Sequence, residues 1–168
     1  MQKAYETKIP NVVIRFAEES DTKLILQFIR ELAEYEKMEK DVTATEEILR
    51  DSLFHRNAAE TIVAEKDGRP VGFALFFHNF STFLGKPGIY LEDLFVRPEA
   101  RGLGVGKALL AFLAKLAVER GCGRFEWWCL DWNKPSIEFY KSMGAKPMDD
   151  WTVYRVDGNA LINLAEQF

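Results

Sequence analysis

The 168-residue chain has the composition of one globular domain. Hydrophobic residues make up 48% and charged residues 29% of it, a balance that excludes an intrinsically disordered chain and a membrane protein. The net charge is −4, and no segment combines clustered Lys and Arg with aromatic residues, so we expect no nucleic-acid partner. The longest apolar stretch near the middle, residues 71–77, is far shorter than the roughly 20 residues of a membrane-spanning helix, so we expect no membrane partner. The N-terminus lacks an apolar stretch that could serve as a secretory signal. We therefore expect one cytoplasmic domain over residues 1–168, and leave open that residues 1–10 are disordered.

The sequence offers no metal-binding or redox pattern. Cys122 and Cys129 are the only cysteines, and they lack paired ligand or redox spacing. His55 and His78 are distant from both in the sequence. We expect two inert core thiols and no metal.

The chain opens with a predicted strand and two predicted helices. Residues 12–16 are apolar and β-branched, which favours a strand. Residues 20–21 offer helix N-caps ahead of an apolar repeat at helical spacing over residues 24–35. Thr43 and Glu46 have the spacing of a capping box, which predicts a second, short helix.

A hairpin and a central strand follow. Residues 61–65 and 71–77 flank an Asp-Gly dipeptide, which tolerates the positive φ angles of a hairpin turn. Residues 89–96 are apolar at nearly every position, as expected of a strand covered on both faces. Glu92 and Asp93 interrupt this strand, and a carboxylate inside an apolar strand is costly unless it is paired or functional.

The second half predicts two more helices and two more strands. Residues 106–121 form a third helix, and residues 135–144 form a fourth that begins with a proline and ends with a glycine. Residues 124–130 and 151–156 are predicted strands. Together these elements predict an α/β (α+β) domain with a mixed sheet.

The sequence RGLGVG lies between the central strand and the third helix. The run and the residue after it are Arg101, Gly102, Leu103, Gly104, Val105, Gly106 and Lys107. Its glycines let backbone N–H groups converge, and the helix that follows adds its positive dipole end, so the segment suits a pyrophosphate. Arg101 can add a charge-assisted bond. A dinucleotide fingerprint would need glycine in place of Lys107, and a nucleoside-triphosphate loop would need glycine in place of Arg101.

The spacing of Arg101, Gly104 and Gly106 resembles the signature of the GNAT acetyltransferases. The segment NKPSIEFY, residues 133–140, lies where this superfamily carries its second cofactor segment. ELAEYEKME, YLEDLFV and WNKPSIEFYKSMGA resemble the diamine acetyltransferases in particular, of the spermidine/spermine or thialysine type. The resemblance implies a mostly antiparallel central sheet flanked by helices, acetyl-CoA as co-substrate without a metal, a small amine substrate and a homodimer.

The resemblance also implies roles for individual residues. The expected cofactor-binding residues are Leu94, Phe95, Val96, Arg101, Gly102, Leu103, Gly104, Val105, Gly106, Lys107, Asn133, Lys134, Pro135, Ser136 and Tyr140. The expected substrate-binding residues are Tyr35, Glu36, Glu92 and Asp93. Glu92 is the candidate base that removes a proton from the amine, directly or through water, and Tyr140 is the candidate donor to the leaving thiolate.

Alternatives without a catalytic or binding role stay open for these residues. Glu92 could face solvent, Tyr140 could be an ordinary packing aromatic, and Glu36 could belong to a solvated helix end. The chain could also acetylate a peptide or protein amine, or bind acyl-CoA as a non-catalytic sensor.

Overall fold

The computed structural model describes residues 3–168 and contains one six-stranded sheet. The strands are β1 (Ala4–Glu6), β2 (Val12–Phe16), β3 (Glu60–Lys66), β4 (Arg69–Ser81), β5 (Lys86–Val96) and β6 (Phe125–Trp127). They lie in chain order, and every neighbouring pair is antiparallel except β5 and β6, which are parallel. The predicted mixed, mostly antiparallel α/β fold is therefore confirmed.

The chain divides into two compact units, the first ending at Trp128 and the second running over Cys129–Phe168. The first contains the sheet, α1 (Thr22–Tyr35), α2 (Glu46–Arg50) with a π-helical turn after it (Asp51–His55), and α3 (Val105–Glu119). The second contains α4 (Lys134–Ser142) and α5 (Gly158–Ala165). A single domain over the whole chain stays a prediction.

α1 packs on the centre of the sheet through aromatic residues. The side chains of Phe28 and Leu32 are buried in a cluster with Val63, Phe73 and Phe95, which stand side by side on β3, β4 and β5. The Phe28 and Phe73 rings are stacked at 5.0 Å. Fully burying each such side chain stabilises the fold by about 1.5–3 kcal/mol. This packing fixes the C-terminal end of α1 near the C-terminal end of β5.

α3 packs on the other face of the same strands. Leu109 and Leu113 of α3 are fully buried. A Cβ atom added to Gly106 would lie 3.8 Å from Val96 Cγ2 and 3.9 Å from Leu94 Cδ2. Because successive side chains of a strand point to opposite faces, Leu94 faces α3 and Phe95 faces α1. The start of α3 therefore lies against the end of β5.

An ionic network anchors the segment that leads into α1. Arg15 on β2 donates two hydrogen bonds to Asp21, at 2.7 and 2.9 Å, and a third to Glu65 at 2.7 Å. Burial on its own would raise the pKa of Asp21, but the bonds from Arg15 and from the backbone of Glu18 hold it below its ordinary value. The network ties β2, β3 and the start of α1 together.

The structure differs from the sequence predictions at both ends of the chain. Ala4–Glu6 is a strand paired with β2, although disorder was left open there; Met1 and Gln2 lie outside the described residues. Tyr5 anchors this strand edge-on against Phe112, with ring centres 5.0 Å apart. The predicted strand over residues 151–156 is wrong, since these residues form no regular element and α5 follows them instead. Aromatic and β-branched composition favours a strand, but it does not supply the partner that a strand requires.

No helix within the described residues is long and apolar enough to cross a membrane.

Candidate active site

The C-terminal part of β5 has an open edge. β6 ends at Trp127, which lies opposite Leu91, whereas β5 continues to Val96. Arg97 N–H donates to Val71 at 2.8 Å, so these two residues form a hydrogen-bonded pair. In an antiparallel ladder such pairs alternate with pairs whose N–H and C=O groups point away from the partner strand. Val96, and Leu94 two residues earlier, therefore turn their backbone groups towards the open edge.

The glycine run forms a left-handed turn that leads directly into α3. Gly102 has φ +80° and Gly104 has φ +89°, values that favour glycine. α3 begins at Val105 and is 15 residues long. The first N–H groups of a helix lack intrahelical acceptors and lie at its positive end. The predicted anion cradle therefore has a suitable backbone, and it lies beside the open edge of β5.

The side chain of Arg101 makes contacts that the sequence did not predict. Its Nε donates to the carbonyl oxygen of Val96 at 2.9 Å. The guanidinium lies 5.2 Å from the centre of the Tyr35 ring and 5.5 Å from that of Phe95, within cation–π range. Arg101 is thus directed towards β5 and the end of α1.

Glu92 occupies a β-bulge. Leu75 of β4 pairs with Asp93, but the next residue, Phe76, pairs with Leu91, so Glu92 has no partner in this ladder. Its side chain is exposed. The strand was predicted to be covered on both faces, but Glu92 is exposed at the bulge, as the solvent-facing alternative allowed.

Asp93 and Glu36 occupy a partly dehydrated, negatively charged environment. Burial raises the pKa of Asp93 to about 7, and the charges of Glu92 and Glu36 act in the same direction. Burial also raises the pKa of Glu36, which directly follows α1. The structure thus brings together three of the four expected substrate residues, from the end of α1 and from β5. Tyr35, the fourth, is 40% exposed, and the guanidinium of Arg101 lies over its ring.

An aromatic surface next to Asp93 was missed from the sequence. The Tyr90 ring lies 5.0 Å from the Phe77 ring and 5.8 Å, edge-on, from the Trp128 ring. Burial raises the pKa of Tyr90, and so do the charges of Glu92, Glu126 and Asp93. Strand pairing places Tyr90 opposite both Phe77 and Glu126. Such cross-strand neighbours cannot be read from a single strand's sequence.

The second unit contains the remaining expected site residues. Asn133 is buried and immediately precedes α4, with Lys134 and Pro135 in the first turn. Ser136 and Tyr140 are one helical turn apart on α4, as predicted, and both are half-buried. The Tyr140 ring lies 5.6 Å from the Phe139 ring. Cofactor binding and proton donation by this segment stay predictions.

Within residues 3–168, no group of three or more His, Cys, Asp or Glu side chains is arranged to hold a metal ion. Cys122 and Cys129 are both half-buried rather than in the core.

Residues 25–145 match the Acetyltransferase (GNAT) family, and the chain belongs to this family. It is therefore an acyltransferase, of the N-acetyltransferase type. A thialysine N-epsilon-acetyltransferase of Sus scrofa is 40% identical over 169 residues, which cover 92% of this chain and 98% of the relative. An L-ornithine N5-acetyltransferase of Arabidopsis thaliana is 49% identical over 90 residues, covering 54% of this chain and 40% of the relative.

Among solved structures, an integron cassette protein from the mobile metagenome of V. cholerae has a TM-score of 0.77 and 30% identity. The match covers 93% of this chain and 98% of that protein. The predicted GNAT membership and the resemblance to the thialysine type are confirmed.

Proposed function

We propose that the chain transfers an acetyl group from acetyl-CoA to a primary amine of a small cationic substrate, a diamine, a polyamine or a lysine analogue. The amine attacks the acetyl group directly, within a ternary complex of enzyme, acetyl-CoA and amine. We place this reaction in the cytoplasm. The observation that carries the proposal is the group of three carboxylates, Glu36, Glu92 and Asp93, beside the open edge of β5. Relatives named for thialysine, ornithine and spermidine/spermine acetylation support the substrate class.

The first unit offers the hydrogen-bonding groups that acetyl-CoA requires. GNAT acetyltransferases use it as co-substrate. Leu94 and Val96 offer backbone N–H and C=O groups to an extended amide-containing arm, in the manner of an added strand. The glycine run and the start of α3 offer N–H groups to the diphosphate. We assign the acyl-CoA site to these segments, with Lys107 and residues 133–136 as further contacts.

The amine site follows from charge and burial. An alkyl ammonium is attracted by Asp93 and Glu92, and these residues immediately precede Leu94 on β5. A second, distal ammonium would be recognised by Glu36. The partly buried rings of Tyr90 and Phe77 provide an apolar wall for the aliphatic chain between the two nitrogens.

Attack on the acetyl group requires a neutral amine, yet a free alkyl amine has a pKa of about 10.4. Glu92 is exposed to solvent at the bulge, so it can accept the amine proton directly or through a water molecule. Tyr140 donates a proton to the sulfur of the leaving thiolate. Both assignments are part of the proposal.

A panel assay tests the function. Purified protein is mixed with acetyl-CoA and with diamines, polyamines, lysine analogues, monoamines and peptides, and free thiol release is measured. We expect the fastest release with diamines, polyamines or lysine analogues. A preference for peptides would favour protein acetylation, and acetyl-CoA binding with no turnover across the panel would favour the sensor.

A homodimer is part of the same proposal. The C-terminal segment exposes many apolar side chains, among them Trp151 at 78% and Tyr154 at 91%. Exposed apolar surface of this kind marks protein interfaces. Light scattering at several concentrations should give the mass of two chains; a monomer mass throughout would refute the dimer.

A further inference from the structure

The open edge of β5 begins where β6 ends. β6 runs parallel to β5, and its last residue, Trp127, lies opposite Leu91. The backbone groups that the proposed function assigns to the acyl-CoA arm belong to Leu94 and Val96, further along the same edge. The arm and β6 therefore occupy one edge of β5 in line with each other.

The acyl end of the arm is directed towards β6. A Cβ atom added to Gly106 would lie 3.8 Å from Val96 Cγ2, so the start of α3, the proposed diphosphate site, lies at the far end of β5. An extended arm that begins there runs back along the edge from Val96 to Leu94. Its acyl group consequently reaches β5 between Leu94 and Leu91, beside the bulge and the C-terminal end of β6.

Trp128 lies at this point, on the face of the sheet that carries α1. Its ring stands edge-on to the Tyr90 ring at 5.8 Å, and the Tyr90 ring lies 5.0 Å from the Phe77 ring. Phe77 follows Phe73 by four residues on β4, so both side chains point to the face on which Phe73 meets α1. Trp128 is thus supported by Tyr90 on one side, while 58% of its surface is exposed.

Trp127 lies on the opposite face of the sheet. It pairs with Leu91, the neighbour of Tyr90 in the chain, and successive side chains of a strand point to opposite faces. Its ring packs edge-on against Phe125 at 4.9 Å, and its side chain is half-buried. Consecutive indoles therefore cover both faces of the sheet at the point where the edge of β5 becomes open.

These two indoles limit the length of an acyl group at this edge. An acetyl group has one methyl carbon beyond the thioester carbonyl, whereas propionyl and butyryl groups are longer by one and two methylenes. The additional carbons continue towards β6 and meet Trp127 on one face or Trp128 on the other. One additional methylene at a closely fitting pocket changes kcat/KM by about ten- to two-hundredfold.

We propose that Trp127 and Trp128 determine acyl-chain length and restrict the enzyme to acetyl-CoA. The inference rests on the proposed function and names the residues that select its acyl donor. A longer donor reacts in the same way: the amine nitrogen forms a bond to the acyl carbonyl carbon, the carbon–sulfur bond breaks, and CoA leaves as the free thiol. The tryptophans therefore act on which acyl group fits, and the bond changes stay the same.

The test compares acetyl-, propionyl- and butyryl-CoA as donors to 1,5-diaminopentane, with free thiol release as the readout. The wild type should prefer acetyl-CoA over propionyl-CoA by at least about tenfold in kcat/KM. Trp128→Ala should reduce this preference by about tenfold or more, and the fold should tolerate it because Trp128 is largely exposed.

Phe80→Ala is the matched control for Trp128→Ala. Phe80 is likewise 58% exposed, but it lies opposite Pro87, close to the turn between β4 and β5 and away from the open edge. Its acyl-CoA preference should equal that of the wild type.

Trp127→Leu tests the other face while keeping an apolar side chain against Phe125. A reduced preference for acetyl-CoA in either tryptophan variant supports the inference, and the larger effect identifies the face that the acyl chain takes. An unchanged preference in both variants would overturn it. So would a change in the diamine KM alone, which would assign the indoles to the amine.

Calorimetry without an amine gives a readout that does not depend on turnover. Butyryl-CoA should bind the wild type at least about tenfold more weakly than acetyl-CoA, and this difference should shrink in Trp128→Ala or Trp127→Leu. Equal Kd values for the two donors in the wild type would refute the inference while leaving the proposed function intact. A wild type that binds neither donor would refute the proposed function, and the inference with it.

Discussion

Asp93 lies directly opposite Leu75 in the β4–β5 ladder, whereas Glu92, one residue earlier, has no partner in it. The bulge gives two adjacent carboxylates different surroundings: Glu92 is exposed and Asp93 is half-buried with a pKa raised to about 7. Neighbouring acidic groups in different environments can take different roles in proton transfer. In the proposed reaction Glu92 exchanges protons with solvent, and Asp93 holds the cationic substrate.

The pKa of Asp93 predicts a pH dependence of diamine binding. Asp93 gains its negative charge as the pH rises through about 7, while both amines remain protonated. Diamine affinity, measured by calorimetry between about pH 5.5 and pH 8.5, should therefore increase across that range. Asp93→Asn should weaken binding and remove the inflection, whereas Glu36→Gln should retain an inflection. A wild-type profile that is flat in this window would contradict the prediction.

Asp93 should also reduce stability at neutral and higher pH. A carboxyl group whose pKa is higher in the folded state than in the unfolded state binds its proton more tightly when folded. Its favourable contribution is complete below about pH 4 and is lost as the pH rises to about 7. Asp93→Asn should therefore raise the free energy of unfolding at about pH 8, by up to about 4 kcal/mol. Urea denaturation measures the change, and a lower stability of the variant would argue against the raised pKa.

The glycine run predicts a specific effect of Gly104→Asp. Gly104 has a left-handed φ of +89°, and an aspartate there adds negative charge at the start of α3. Acetyl-CoA should stabilise the wild type by about 2.7 kcal/mol at a hundred times its Kd, and NAD or ATP should not. The substitution should abolish this thermal shift, measured against the variant's own unliganded melting temperature.

Gly121→Asp is the matched control for Gly104→Asp. Gly121 also has a left-handed φ, +69°, but it lies after the C-terminal end of α3. Its acetyl-CoA shift should match that of the wild type. Tighter binding of ATP than of acetyl-CoA by the wild type would show that the anion site is misassigned.

Features encoded over a few consecutive residues were predictable from the sequence. The apolar repeat of α1, the glycine run before α3 and the proline at the start of α4 all appear where expected. Each depends on local spacing or on the backbone preferences of one residue type.

Features that depend on strand register were not predictable. The bulge at Glu92 arises from a shift in pairing between β4 and β5, and Tyr90 meets Phe77 only across that ladder. The direction of Arg101 depends on where packing places Tyr35. These relationships join residues far apart in the chain, so a single sequence without its fold does not reveal them.

Tyr140→Phe tests proton donation to the leaving thiolate. Removing the hydroxyl should lower kcat by about a hundredfold or more, because a positioned proton donor contributes on that scale. Acetyl-CoA affinity should be nearly unchanged. Tyr5→Phe on β1 removes a hydroxyl outside the proposed site and should retain full activity. A Tyr140→Phe enzyme with half the wild-type kcat would show that Tyr140 serves only in packing.

Glu36→Gln tests recognition of the distal ammonium. Glu36 is half-buried, with its pKa raised by burial, so its interaction with an ammonium is stronger than that of a fully solvated pair, which contributes only about 0–1 kcal/mol. The substitution should raise KM for 1,5-diaminopentane at least about fivefold and leave KM for n-pentylamine unchanged, since the monoamine has no second charge. Glu34→Gln removes an exposed carboxylate from the same turn of α1 and should affect neither substrate. Equal effects of Glu36→Gln on both amines, or no effect on either, would show that Glu36 does not recognise the second nitrogen. The enzyme would then be a general amine acetyltransferase.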